Sequence, residues 1–301
     1  MPAGTANNAA GAVSINDGTV RLNKTAGIHA IDANVTVGTI ATNARLELAA
    51  SNQIDHNGGT NILNTVTVNH GSTFDLMGFS DTIGSLVMSG GSVATGAGTL
   101  TLSSNGSAAA SITYNTGGQA VINGVLDLGG ATRTFAVNDG NAMEDLVINA
   151  VVSNGRISKT GAGWLALNNG ANTFLAGVNE VQRVTVTGAT AGTSTFTINF
   201  NGNVTGNILV NAADATTASL IDAALELLPS IGVGGVNVTV AGAGLFNIEF
   251  TGHLGQQDIP NQITTGGSGP GTFAASTPTG GAAGINHTAG IIGVGHDTAL
   301  G

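Results

Sequence analysis

The sequence has no cysteine, only 7 Lys and Arg, 4% aromatic residues and 8% charged residues. Each shortage closes off a class. Without cysteine there is no disulfide scaffold and no iron–sulfur site. Seven cations spread over 301 residues, against 17 acids, cannot build the basic face that nucleic acid demands. No run of 18 consecutive apolar residues is present, so no transmembrane helix is expected. A disordered chain would carry more charge than this one and less than its 42% hydrophobic content. Glycine does not recur at every third position, which excludes collagen. The motifs G-x-S-x-G, H-E-x-x-H, Walker A and G-x-G-x-x-G are all missing. So few aromatics and charges also argue against a soluble enzyme.

What is abundant is glycine, 48 residues, together with short apolar pairs at i and i+2. Val35/Val37, Leu46/Leu48, Val66/Val68, Leu100/Leu102, Phe135/Val137 and Leu165/Leu167 are examples. That is the strand period. Turn-forming dipeptides lie between the pairs, among them Asp17-Gly18, Asn57-Gly58, Asn105-Gly106, Asn123-Gly124, Asp139-Gly140 and Asn154-Gly155. The region to residue 177 therefore reads as many short strands with a sharp bend after each. Degenerate repeats separate a stack of coils from a set of hairpins. Thr95-Gly96-Ala97-Gly98-Thr99-Leu100-Thr101-Leu102 returns as Thr160-Gly161-Ala162-Gly163-Trp164-Leu165-Ala166-Leu167. Phe74-Asp75-Leu76-Met77-Gly78 returns as Leu126-Asp127-Leu128-Gly129-Gly130. The expectation is a solenoid of about eight coils at roughly 20–25 residues each, its interior too narrow for large aromatics.

Ile157-Ser158-Lys159-Thr160-Gly161-Ala162-Gly163-Trp164-Leu165-Ala166-Leu167, followed by Gly170-Ala171-Asn172-Thr173-Phe174, resembles the autotransporter-associated β-strand repeat. The resemblance covers about 170 residues and is strongest over 124–177. It implies a mainly β chain with a right-handed parallel β-helix (β-solenoid), in a secreted or surface-displayed bacterial protein, and no catalytic residue.

The pattern changes at Val178. Longer strands are expected at Val181–Thr187, Ser194–Phe200, Asn203–Val210, Val236–Ala241 and Leu245–Thr251. Ile221, Ala224, Leu225 and Leu228 fall at helical spacing, capped by Thr216-Thr217 or by a Ser219–Asp222 box and ended by Pro229. This gives a small α+β module, βββαββ, over 178–265. It is similar to a module repeated in giant planctomycete-type surface proteins and in some phage structural proteins. Residues 266–283 read as a Gly/Ser/Thr/Pro linker. Residues 284–301 then look like the second half of a β-strand repeat, so the module is inserted into one coil of the 1–177 solenoid.

Few residues are candidates for chemistry. Asp75, Asp81 and Asp127 are the nearest thing to the clustered acids of a polysaccharide-cleaving cleft. Asp75 and Asp127 occupy equivalent repeat positions, which favours a structural role. Glu144 and Asp145 are adjacent and on a strand would face opposite ways. Asp139, Asn141 and Asp145 outline a calcium loop faintly, but Met143 falls where a hard cation needs an oxygen. Asp55-His56 and His296-Asp297 lack chelating spacing. Trp164 reads as a packing or surface residue rather than a sugar platform, and Lys159 as a structural element of the repeat. No catalytic, cofactor-binding or metal-binding residue is assigned, and no cofactor.

The functional expectation is a non-catalytic extracellular structural protein, a surface or fibre segment that stacks head to tail on copies of itself or continues into a larger surface protein. The alternatives are an adhesin module on a solenoid stalk with a glycan or cell-surface ligand, and a β-helical polysaccharide-degrading enzyme or phage tail component. The start at Met1–Thr5 lacks the features of a signal peptide, and the chain reads as a fragment or processed product.

Overall fold

The structure, a computed structural model, describes residues 11–39, 41–54, 64–103, 111–175, 177–259, 262–287 and 289–295. The fold is mainly β, with curled parallel sheets and a single α-helix among the described residues. The chain divides into two compact units, Met1–Leu175 with Ile285–Gly301, and Ala176–Gly284.

Every strand pairing in the first unit is parallel, and the strands fall into three rows. Val13–Ile15, Val35–Val37, Thr65–Asn69, Ser85–Ser89 and Ser111–Tyr114 form the first row, which continues through 134–137 and 157–159 to Ile285–His287. The second row runs from Gly18–Leu22 and Ala44–Leu48 to Trp164–Leu167 and Ile291–Val294. Asp81–Ile83, Leu100–Leu102, 125–127 and 151–153 make the third. The chain visits the rows in turn and returns to the first. The longest strands, Val125–Val137 and Val151–Thr160, bend between two rows, with a register shift between Asp127 and Ala131.

The register explains the alternation in the sequence. Val35, Val66, Leu86, Ile112 and Phe135 align in one column, and Leu46, Phe74, Val93, Ile122, Ile148 and Leu167 in another. All of these side chains are buried. Each contributes about 1.5–3 kcal/mol of apolar burial. Thr36, Thr67, Val87 and Thr113 align on the other face. One expectation fails. Phe74, Tyr114 and Phe135 are fully buried, so the interior does admit aromatics. Phe74 stands between Leu46 and Val93, and Phe135 between Ile112 and Lys159. Tyr114 reaches a corner, where its hydroxyl donates to the carbonyl oxygens of Gly117 and Gly118.

The repeated Thr-Gly-Ala-Gly has one physical cause at both copies. Gly96 and Gly161 have φ of 63° and 79°, which favours glycine. A Cβ on Gly98 would overlap the carbonyl of Phe79, and one on Gly163 that of Asn138, each on a neighbouring pass of the chain. The Asp75 and Asp127 repeats also share a local turn. Asp75 Oδ1 accepts from the backbone of Met77, and Asp127 Oδ1 from that of Gly129. Yet Asp75 lies in the second row and Asp127 in the third, so the repeat is of turn chemistry and not of position in the stack.

The second unit has two antiparallel four-stranded sheets. In one, Val236–Gly242, Leu245–Phe250, Val181–Thr187 and Thr272–Thr279 lie in that order. In the other, Thr195–Phe200 pairs with Thr264–Ser268 on one side and with Asn203–Val204 and Ile208–Leu209 on the other. Phe196, Phe200, Phe246, Phe250 and Ile248 build its core, with Phe196 stacked on Phe273 at 5.0 Å. Three expectations are corrected. Residues 266–283 are not a linker, because most of them belong to two edge strands. An edge strand needs few apolar residues, and Phe273 supplies the anchor. The strand expected at Asn203–Val210 is broken in two, where the Thr205 hydroxyl takes the N–H of Ile198. The helix runs Asp214–Glu226 from an Ala213 N-cap with no side-chain cap. Thr217 instead accepts from Asn211 N, and Ser219 bonds the Ala215 carbonyl, so neither expected cap operates. Ile221 and Leu225 do face the core.

Candidate functional site

Asp75, Asp81 and Asp127 do not converge. Asp81 aligns with Leu100 and Leu126 and is buried, whereas Asp127 aligns with Thr101 and Thr82 on the opposite face. Asp75 is in another row and pairs with Arg45 at 2.6 Å, as does Glu47. Asp127 accepts from Asn154 Nδ2. The geometry of two carboxylates facing each other across a substrate is not formed by these three.

The buried polar groups serve the backbone. Asp81 Oδ2 accepts from the N–H groups of Gln53 and Ile54, and its Oδ1 from its neighbour Thr82. Burial nonetheless outweighs these bonds and raises its pKa to about 7. Gln53 in turn accepts from Lys24 N and donates to the carbonyls of Ile28 and Ser51. Ser72, Thr95 and Asn172 repeat the pattern, accepting from Ala44 N, Val125 N and Val152 N. Each is a turn residue that satisfies an N–H on another pass, where a bare corner would leave it unpaired.

Asp145 belongs to the same group. It lies in the bend before Leu146–Ile148 rather than on a strand, and it is buried. Its Oδ1 accepts from Gly140 N and its Oδ2 from Trp164 N. Asp139, Asn141 and Met143 stay exposed, so the faint calcium loop has its one inward carboxylate already committed. Among the described residues no group of three His, Asp or Glu could hold a metal ion. The Trp164 indole lies against Gly293, which fits a packing role. Asp55, His56, His296 and Asp297 lie outside the described residues.

Two buried cations were not legible as such. Lys159 continues the column after Phe135, at a position where the register demands an inward side chain. Its Nζ donates to the carbonyls of Thr160, Gly161 and Ala289 at 2.7–2.9 Å, and burial pulls its pKa down against the attraction of Asp145. Arg133 donates from Nε to Leu128 O and from Nη2 to Leu102 O, beside the bend in Val125–Val137. In the second unit, buried Glu180 and Gln182 take the N–H groups of Ile259 and Ile263. None of these sits beside a nucleophile or in a described cavity. Among the described residues no helix is long and apolar enough to cross a membrane.

No family model matches the chain, and no curated protein and no solved structure matches it.

Proposed function

We propose that the chain is a non-catalytic structural segment of an extracellular or cell-surface assembly, built as a parallel β-solenoid that continues head to tail onto a second copy. The observation that carries this reading is the all-parallel strand pairing of the first unit among the described residues. A parallel stack has two different edges. One is formed here by Val13–Ile15 and Gly18–Leu22, the other by Ile285–His287 and Ile291–Val294. Among the described residues these strands pair on one side only. Val20, Ile291 and Val294 are 38%, 50% and 45% exposed. The two edges run the same way, so one copy's edge continues the other's ladder, and a contact of that kind propagates. The way buried acids and amides are spent on backbone N–H groups supports a scaffold. The low charge and the abundance of Thr, Asn, Ser and Gly suit a secreted protein.

Sedimentation velocity over a concentration range tests the reading. The intact chain should form larger species as concentration rises, and Ile291→Lys combined with Val294→Lys should hold it as a monomer. A monomer at every concentration in the unsubstituted chain would refute head-to-tail stacking.

A further inference from the structure

The helix Asp214–Glu226 has apolar residues on more than one side. Ile221 and Leu225 are buried in the core. Leu220 and the C-cap Leu227 lie seven residues apart on another side, with the core-packed Ala224 between them, and are 39% and 83% exposed. Facing them is the sheet edge, with Val204 55% and Leu209 36% exposed. Together they line a cavity of about 600 Å³, within the usual range for small-molecule sites of about 300–1,000 Å³.

The charge pattern says what this cavity accepts. None of its lining residues is ionisable, in a chain of net charge −10. The helix does carry acids, but each is bonded toward 234–244. Asp214 accepts from Gly244 N, Asp222 from Val238 N and Glu226 from Gly234 N. A charged headgroup therefore finds no counter-ion in the cavity, and an anionic one meets an anionic molecule. Asn207 lies exposed among the lining residues, a polar group able to meet an uncharged polar end. Four large exposed apolar side chains gathered in one concavity, rather than scattered singly, mark an interaction site.

We propose that this cavity binds an uncharged linear aliphatic chain, with its polar end at Asn207. The probe is 1-decanol, titrated into the full chain and read by the methyl resonances of Val and Leu. Saturable shifts confined to Val204, Leu209, Leu220 and Leu227 are expected. Leu220→Asn with Leu227→Asn should weaken binding by at least about tenfold, since two aliphatic surfaces leave the contact. Both side chains are exposed, so the fold should persist, and unchanged methyl shifts at Val184, buried in the core of the same unit, would verify it. Absence of saturable shifts, or equal binding in the double variant, would overturn the proposal. So would shifts of the same methyls on raising protein concentration alone with no response to decanol, since the face would then be a contact between copies.

Discussion

A carboxylate placed where no charge is wanted makes stability depend on pH. Asp81 keeps three backbone N–H groups satisfied, yet burial raises its pKa to about 7 from an ordinary 3.8. In that window the folded chain holds a proton that the unfolded chain has released, so Asp81 contributes stability at low pH that is lost as pH rises toward 7. The full span corresponds to about 4 kcal/mol. The expected outcome is a stability, measured by denaturant unfolding, that falls between about pH 4 and 7. Asp81→Asn should flatten that dependence, because its amide oxygen still accepts from Gln53 and Ile54 without ionising. A slope unchanged in the variant would assign the dependence elsewhere. The carboxylate at this position is visible in the sequence. Its burial is not, because only the register shows that it stands in line with Leu100 and Leu126.

At the scale of the element, the strands after the second unit are held back onto the first unit by both ladder and side chain. Ile285–His287 pairs with 157–159, and Ile291–Val294 with Trp164–Leu167. Lys159 adds a bond to Ala289 O between them. Replacing it by methionine keeps the volume and strands buried carbonyls, at about 1–3 kcal/mol for each unmet group. Lys159→Met is expected to lower amide-exchange protection over 285–295 by about 100-fold, leaving Ser85–Ser89 unchanged. Equal protection in both proteins would mean that the ladder alone holds the segment. The local chemistry of these elements was legible. Val181–Thr187 stands at its expected limits, and the Thr-Gly-Ala-Gly repeat marks two turns with the same steric demand. What was not legible were features set by distant partners. Thr264–Ser268 and Thr272–Thr279 look like linker until the strands they border are in place, and the helix start depends on Asp214 meeting Gly244 rather than on a capping side chain. The exposed pair of the helix could have been found, since Leu220 and Leu227 have the seven-residue spacing of one helix side.

At the scale of the whole molecule, the parallel sheets of the first unit are interrupted once in the sequence, by a unit with its own core, and the ladder resumes at Ile285. Parallel strands carry the same direction from pass to pass, so the stack has no symmetric end at which to stop. Its function under this reading is mechanical, with the rows of hydrogen bonds as the continuous element. The most direct test is negative-stain electron microscopy of the purified chain across a concentration series. Head-to-tail continuation predicts unbranched fibres whose axial repeat equals one copy, about 40 Å for an eight-stranded row at roughly 4.8 Å per strand. Discrete single particles at every concentration, with no axial repeat, would contradict it.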